Sequence, residues 1–140
     1  MHILVLAAVD NDTPLTSERA GNSAGTNAAF IRKTSSKLSK AGLLKVKKGK
    51  YGGMALGRPA RQISLWDVYC AVDNSDLFSL HASIPSEQCF VGRTIMPTLT
   101  GALHGVSEAF RESMEKTTLA DVSAQLLSRA GREDKLAELT

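Results

Sequence analysis

Several features are scarce in this chain of 140 residues, and each scarcity argues against a class of protein. Aromatic residues make up only 5% of the sequence, which disfavours a single-strand binder built from stacked aromatic platforms. Two cysteines, Cys70 and Cys89, are too few for a disulfide framework and fit a reducing cytoplasm. No apolar run approaches the length of a transmembrane helix, and the apolar residues 1–9 lack the basic leader of a signal peptide. We therefore expect a cytoplasmic protein with no membrane partner.

Acidic residues are missing from a long segment in the first half of the chain. Between Arg19 and Trp66 there is no aspartate or glutamate, although the whole chain has a formal net charge of only +3. The basic residues of this segment are Arg19, Arg32, Lys33, Lys37, Lys40, Lys45, Lys47, Lys48, Lys50, Arg58 and Arg61. Such a concentrated positive field attracts a polyanion by releasing its condensed counterions, and nucleic acid is the usual polyanion. A solvated basic surface without a partner is the alternative interpretation.

The hydrophobic content of 43% predicts a folded globular protein of one domain, or one small domain with an oligomerisation element. Residues 1–9 predict a short buried helix. Thr16 or Ser17 is expected to cap a second helix that runs to about Ser23. The following Ala24-Gly25 pair should end that helix.

A third helix is predicted from an N-cap at Thr26 to Ala41, with Gly42 as its C-terminal stop. The residues expected to face the core recur at helical spacing and are Ile31, Thr34, Leu38 and Ala41. The other face carries Asn27, Arg32, Lys33, Ser36, Lys37 and Lys40. Two short helices joined by a tight turn, the second basic on its outer side, indicate a helix-turn-helix.

A glycine-rich basic hairpin is predicted after this helix. Leu43–Lys47 and Met54–Leu56 have the pattern of two short strands, and Lys48–Gly53 lies between them. Glycines allow tight turns and close approach to a phosphate, and the lysines supply charge. A nucleotide-binding P-loop is not supported, because no Gly-Lys-Ser/Thr opens a following helix. The predicted fold class is therefore mainly α with a small β-hairpin wing.

A long helix is predicted in the second half of the chain, from about Gly92 to Lys116, although Pro97 favours a start nearer Ile95. Its apolar stripe consists of Ile95, Leu99, Leu103, Val106, Phe110 and Met114. This helix would be roughly 37 Å long, which is longer than the small domain before it requires. The length favours a two-fold pairing between subunits over packing on the chain's own core.

Shorter helices flank the long one. Ser64 is expected to cap a helix over 65–72, whose Leu65, Val68 and Val72 would pack under the wing. Thr118 should cap a final helix through Arg129. The predicted organisation is a winged helix-turn-helix domain (1–72), an irregular connector (73–91), dimerisation helices (92–130) and a polar tail (131–140).

These segments resemble a known family of bacterial regulators. Residues 26–33, Thr-Asn-Ala-Ala-Phe-Ile-Arg-Lys, and residues 37–43, Lys-Leu-Ser-Lys-Ala-Gly-Leu, resemble the recognition-helix region of the family that includes IscR, NsrR and CymR. Residues 48–56 are similar to the family's wing, with Lys-Gly-Lys-Tyr where Arg-Gly-Pro-Gly is common. Residues 58–68 look like its Pro-x-x-Ile-[Ser/Thr]-Leu-x-Asp-Val motif.

The resemblance extends over about residues 2–128, and residues 76–81 and 89–95 look like the cluster-free, YwnA-like subgroup. It implies a homodimeric winged helix-turn-helix protein that binds a pseudo-palindromic operator, usually as a repressor. By position, the residues expected to meet the major groove are Asn27, Ala28, Arg32 and Lys33. Those expected at the minor groove or the backbone are Lys48 and Gly49. The candidate DNA contacts also include Ser36, Lys37 and Lys50.

Cysteine chemistry is limited by the number of thiols. The cluster-binding members use three closely spaced cysteines and this chain has one in that region, so neither a cofactor nor a metal is expected. Cys89 is expected near a helix N-terminus and near Arg93, two features that favour a reactive thiolate. It could sense oxidants and alter the dimer, or it could be a small packing residue. Cys70 is expected to be buried and inert.

No hydrolytic constellation is present, because the three histidines are scattered and no nucleophile sits in a motif with a base. An enzyme is therefore not expected. The interpretation that best fits the sequence is a dimeric repressor that binds duplex DNA. The alternative is a basic interaction module whose partner is an acidic protein or RNA.

Overall fold

The structure is a computed structural model that describes residues 1–10, 14–47, 49, 52–73, 77–78 and 85–139. In chain order the elements are α1 (His2–Val9), α2 (Ser17–Ala24), α3 (Ala28–Lys40), β1 (Leu44–Lys47), β2 (Gly53–Leu56), a 3-10 turn (Ala60–Gln62), α4 (Leu65–Val72), α5 (Phe90–Lys116), α6 (Leu119–Arg129) and a 3-10 segment (Glu133–Leu139). The predicted class, mainly α with a β-hairpin, is confirmed. The chain divides into a first unit, Met1–Asn74 with Glu115–Thr140, and a second unit, Ser75–Met114.

The core of the first unit forms around α1. Five of the eight residues of α1 are buried, because this helix is apolar on every side and other elements cover it. The buried hydrophobic residues outside α1 are Leu15, Ala20, Ile31, Leu38, Leu43, Leu44, Met54, Ala60, Ile63, Val68, Leu119, Leu127 and Leu139. The sequence-based prediction of a short buried helix over 1–9 agrees with this arrangement.

A tight turn joins α2 to α3. The Thr16 hydroxyl accepts a hydrogen bond from the Arg19 amide at 3.2 Å and caps α2. A side chain at Gly21 would place its Cβ 2.7 Å from the Thr26 carbonyl oxygen, so only glycine allows this approach of the two helices. The N-cap of α3 is Asn27, one residue later than predicted, because the Thr26 amide still bonds back to Gly21.

The hairpin is antiparallel and pairs Leu44 with Leu56 and Val46 with Met54. The Met54 amide also donates to the Leu15 carbonyl at 2.9 Å, which ties the hairpin to the segment before α2. Gly42 ends α3 as predicted, with a left-handed φ of 71° that favours glycine.

The N-termini of α4 and α6 are joined side by side. Each begins with a capping box, formed by Ser64 with Asp67 and by Thr118 with Asp121. The Leu119 amide donates to the Ile63 carbonyl at 2.7 Å, and an isolated β-bridge pairs Ser64 with Thr118. Both predicted caps are therefore present, and backbone hydrogen bonds link the two helix starts.

The capping carboxylates have lowered pKa values. Burial by itself raises the pKa of Asp67, but hydrogen bonds from the Ser64 amide and hydroxyl and the Arg58 guanidinium hold it below its ordinary value. Hydrogen bonds from the Thr118 side chain and amide lower the pKa of Asp121. The ionised form of each carboxylate is therefore the one that the fold stabilises.

Helix α4 differs from its prediction in two side chains. Val72, in the last turn of α4, is exposed, and the Lys37 ammonium donates to the Val72 carbonyl at 2.7 Å. Cys70, predicted to be buried, is exposed. Because Val68 faces the core, a residue two positions later on a helix points away from it.

The C-terminal residues pack more closely than a polar tail would. Residues 131–140 were predicted to be such a tail, whereas Leu139, at the end of the final 3-10 segment, joins the core. The Lys135 ammonium donates to the Val9 carbonyl at 3.5 Å. The sequence also grouped α6 with the long helix, but Leu119, Ser123 and Leu127 of α6 are buried in the first unit.

Helix α5 accounts for most of the second unit. It spans 27 residues and begins at Phe90, earlier than the predicted start near Gly92 or Ile95, with Pro97 inside it. The proline removes one amide donor, and the Thr98 hydroxyl donates to the Thr94 carbonyl at 2.7 Å in the same turn. No residue of α5 is buried.

Candidate nucleic-acid interface

Helix α3 has one buried face and one basic face. The residues that pack inward are Ile31, Ser35 and Leu38. The predicted outer residues Asn27, Arg32, Lys33, Ser36, Lys37 and Lys40 are all exposed, and Ala28 is half-buried. The predicted core residues Thr34 and Ala41 are half-buried and exposed, respectively. The structure therefore brings the candidate contacts of this helix onto one accessible side.

The first turn of α3 is fixed by its cap. The Asn27 side-chain oxygen accepts a hydrogen bond from the Phe30 amide at 2.8 Å. This bond occupies the oxygen of the Asn27 amide group and leaves its nitrogen as a donor toward a base edge or a phosphate. The cap therefore fixes Asn27 at the N-terminal end of α3, which is the end that contacts base edges in recognition helices.

Two of the candidate cations already bond within the chain. The Arg32 Nη1 donates to the Glu18 Oε1 at 3.2 Å, and both side chains are exposed, so this pair contributes little to stability. The Lys37 ammonium donates to the Val72 carbonyl at 2.7 Å, which ties α3 to the end of α4. Arg32 can exchange its partner readily, whereas Lys37 has a structural contact as well as an exposed position.

The cations without an acidic partner concentrate on α3 and the hairpin. Arg19 forms an ion pair with Asp10, and Arg58 with Asp67. Within the described residues no acidic partner is found for Lys33, Lys40, Lys45 or Lys47. Of the three ion-paired cations in the acid-free segment, Arg19 and Arg58 lie outside α3 and the hairpin, whereas Arg32 lies on α3 in an exposed pair with Glu18.

The hairpin continues the basic surface from α3. A cleft of about 610 Å³ lies between them, with Arg32, Ser36 and Lys40 on its helical side and Val46 on its hairpin side. Gly49, a predicted contact, is exposed with a φ of 109°. The predicted contacts Lys48 and Lys50 lie outside the described residues.

Two exposed residues of α3 were missed by sequence reasoning. Phe30 is 57% exposed, and Ala29 beside it is also exposed. The available signal was the helical phase: Phe30 directly precedes the buried Ile31, and the next residue on the core face is Ser35.

The predicted dimerisation residues lie along one stripe of α5. Leu99 and Val106 are exposed, and Ile95, Leu103 and Phe110 are half-buried. Phe90 and Val91 at the start of the helix are also exposed. None of these side chains is buried within the part of the chain that the structure describes.

Both cysteines are exposed, but they lie in different parts of the fold. Cys89 immediately precedes α5, and its carbonyl accepts a hydrogen bond from the Arg93 amide at 3.0 Å. Cys70 is exposed on α4. Within the described ranges, no three histidine, cysteine or acidic side chains come close enough to hold a metal ion. In the same part of the chain, no helix combines the length and apolarity that a membrane crossing needs.

Comparisons with known proteins agree with this architecture. A family model, Rrf2, described as an iron-dependent transcriptional regulator, matches residues 1–125. A second match is YwnA of Bacillus subtilis (strain 168), which is named as an HTH-type transcriptional regulator. The two sequences are 34% identical over 127 residues, which cover 90% of this chain and 92% of YwnA.

Solved structures share the fold. CymR, the global cysteine regulator of Bacillus subtilis, is 20% identical, with 88% of each chain covered and a TM-score of 0.65. A Lactobacillus plantarum structure described as a transcriptional regulator is 23% identical, with 96% of this chain and 98% of that chain covered and a TM-score of 0.71. The sequence resemblance is thereby confirmed, and the chain belongs to the Rrf2 family of transcriptional regulators.

Proposed function

We propose that this chain is a homodimeric repressor that binds a specific pseudo-palindromic duplex operator with α3 and the hairpin. The observation that carries the proposal is the two-sided character of α3. Its inner face is anchored by Ile31 and Leu38, which are 2% and 1% exposed, and its outer face presents basic side chains. A rigid helix with this polarity fits the major groove, where side chains reach base edges and phosphates.

The candidate contacts divide by chemistry. Asn27 and Arg32 have planar groups that can hydrogen-bond to base edges, whereas Lys33 and Lys37 supply point charges suited to phosphates. Ala28 and Ser36 lie on the same helix, Gly49 lies between the two hairpin strands, and Lys48 and Lys50 flank Gly49 in the sequence. We therefore assign sequence reading to α3 and backbone contact to the hairpin.

A second copy of this chain is the proposed partner of α5. A helix whose apolar side chains have no core of their own is stabilised when another apolar surface covers them. The stripe of Ile95, Leu99, Leu103, Val106 and Phe110 would meet its own copy across a two-fold axis. Such a dimer binds two half-sites about one turn of duplex apart, which is why we expect a pseudo-palindrome.

The test is fluorescence anisotropy with duplex DNA from upstream of the chain's own gene, against a scrambled duplex of equal length. Each duplex is titrated at two salt concentrations. We expect tight, salt-dependent binding to the first duplex only. Arg32→Ala should weaken specific binding by about 1–3 kcal/mol, and Lys33→Ala should lower the slope of log affinity against log salt by about one unit.

Arg129→Ala is the matched control, since Arg129 is an exposed cation on α6 outside the acid-free segment. It should leave both affinity and salt slope unchanged. Equal weak binding to both duplexes would contradict a specific operator at that locus. Preference for single-stranded RNA, or no nucleic-acid binding at all, would favour the interaction-module alternative.

We propose that modification of the Cys89 thiol regulates DNA binding. Its exposure at the start of α5 makes it accessible to oxidants, and a change there alters the helix proposed to hold the dimer. Oxidant should release DNA from the unmodified chain and from Cys70→Ser, but not from Cys89→Ser. Cys70→Ser is an informative control because Cys70 is also exposed. Equal release from both variants would contradict the role of Cys89.

The residues present do not fit an iron–sulfur cluster, although the family description names iron. Such clusters need several thiolates or histidine substitutes, and the whole sequence holds two cysteines. Cys70 belongs to the first unit and Cys89 to the second. No part of the proposed regulation therefore depends on a cluster.

A further inference from the structure

An apolar side chain stands on the otherwise basic side of α3. Phe30 is 57% exposed, a fraction unlike that of its neighbour Ile31, which is 2% exposed. It lies in the first turn, and Lys33 and Lys37 follow it by three and seven residues along one edge of the helix. Phe30 thus shares one edge of α3 with two of the cations proposed to hold phosphates.

Packing within the chain does not account for this residue. A phenylalanine at an exposed helical position forms helix less readily than alanine and leaves most of its ring in water. Its backbone is nevertheless fixed, because the Phe30 amide donates to the Asn27 cap at 2.8 Å. The residue is therefore fixed by its backbone at the start of the helix, with more than half of its surface exposed.

We propose that Phe30, with Ala29 beside it, reads the 5-methyl groups of thymines in the major groove of the operator. The inference rests on the proposed function, since it requires α3 to enter the major groove of duplex DNA. The first turn of a recognition helix is the part that meets base edges. Among the groups displayed in that groove, only the thymine methyl is apolar, and phenylalanine and alanine side chains are its usual partners.

The assignment gives α3 a composite specificity. Asn27 and Arg32 recognise hydrogen-bonding edges, whereas Phe30 recognises a methyl group that carries no hydrogen-bonding information. A cytosine at the same position would lose the methyl and also replace the O4 acceptor by an N4 amino donor, whereas a uracil would lose only the methyl. Thymine-to-uracil replacement therefore isolates this contact from every hydrogen bond in the interface.

The experiment begins with in vitro selection of binding duplexes from a randomised pool by the full chain. Each thymine of the selected duplex is then replaced singly by deoxyuridine, and affinity is measured by anisotropy. One thymine in each half-site should lose about fourfold in affinity on replacement, the value expected for one buried methyl group. Phe30→Ala should bind the thymine duplex more weakly and should lose most of this sensitivity to uracil.

Lys33→Ala is the matched control, because it weakens binding through charge and should keep the full uracil effect. Phe30→Leu should retain part of it. The melting temperature of Phe30→Ala should stay near that of the unmodified chain, because the ring is exposed.

Different results would overturn the proposed function and the thymine contact of Phe30. Selection that returns no preferred duplex overturns the proposed function and this inference together. A preferred duplex with no uracil-sensitive position, or with the same sensitivity in Phe30→Ala, overturns the inference alone.

Discussion

The first unit and helix α5 use apolar residues in opposite ways. The first unit encloses its apolar side chains in one core that includes α1, α3 and α6, whereas no residue of α5 is buried. Both regions have helices with apolar residues at regular spacing. Periodicity by itself therefore shows that a helix has an apolar side, and it does not show what covers that side.

This difference separates two sources of stability. Helices in the first unit are stabilised by packing against one another, so each contributes to a shared core. Helix α5 has 27 residues and exposed Leu99 and Val106. Its stripe gains that stabilisation when an external surface covers it, for which we propose a second copy.

The largest effect is expected from a cavity in the first core. Leu4 is fully buried in α1, and Leu4→Ala should lower the free energy of unfolding by about 2–5 kcal/mol. Urea unfolding followed by the fluorescence of Trp66 measures the change. Leu126→Ala, at an exposed leucine of α6, is the control and should change stability by less than about 0.5 kcal/mol. Similar costs for both variants would contradict the contrast between buried and exposed leucines.

A smaller effect is expected from a charge on the α5 stripe. Leu99→Lys places a cation where the dimer should be apolar, and the dimer should dissociate at least tenfold more readily, a difference of about 1.4 kcal/mol. Analytical ultracentrifugation over a concentration series measures this constant. His104→Lys adds the same charge on the other side of α5 and should leave it unchanged. A monomer at all concentrations in the unmodified chain would contradict the proposed dimer.

The smallest effect is expected at the joined starts of α4 and α6, where local hydrogen bonds cap the two helices beside the core residues Ile63 and Leu119. Ser64→Ala should lower the free energy of unfolding by about 0.5–2 kcal/mol because it removes the cap of α4. Ser107→Ala, inside α5, is the control with a change below about 0.5 kcal/mol. Equal losses of unfolding free energy in Ser64→Ala and Ser107→Ala would contradict a stabilising role of the Ser64 cap.

The same cap predicts the sign of a pH effect. Because the pKa of Asp67 is lowered in the folded chain, its contribution to stability is present above the ordinary pKa of 3.8 and is lost as pH falls through the folded value. Asp67→Asn should therefore lose less stability than the unmodified chain between about pH 6 and about pH 3. Urea unfolding at the two pH values measures the difference, and an identical loss in both proteins would contradict it.

Local signals in the sequence were sufficient for much of the fold. Thr16, Ser64 and Thr118 were predicted as N-caps and act as such, because a capping residue bonds to an amide only three residues away. Gly42 was predicted to end α3 and does so, because glycine readily adopts the left-handed φ of 71° that is needed at this position. On α3 the exposed basic residues followed from helical phase, since Ile31 and Leu38 define the inner side.

Side chains whose environment depends on distant segments were predicted less well. Cys70 was expected to be buried and is exposed, and Leu139 was expected in a polar tail and is buried. Phe30 was not singled out: the predicted core face of α3 included Thr34, whereas the buried residue is Ser35, and this change of helical phase leaves Phe30 exposed. The roles of the candidate DNA contacts remain predictions, since they depend on an operator outside the chain.

The sequence by itself determined the order of the helices and strands, several of their caps, where positive charge accumulates, and to which family the chain belongs. These properties depend on neighbours within a few residues or on composition, so they can be read along the chain. The tertiary structure decided which apolar residues form a core, which cations lack an acidic partner, and that Phe30 stands outward among lysines. Those properties depend on contacts between segments far apart in sequence, and only the packed chain brings such segments together.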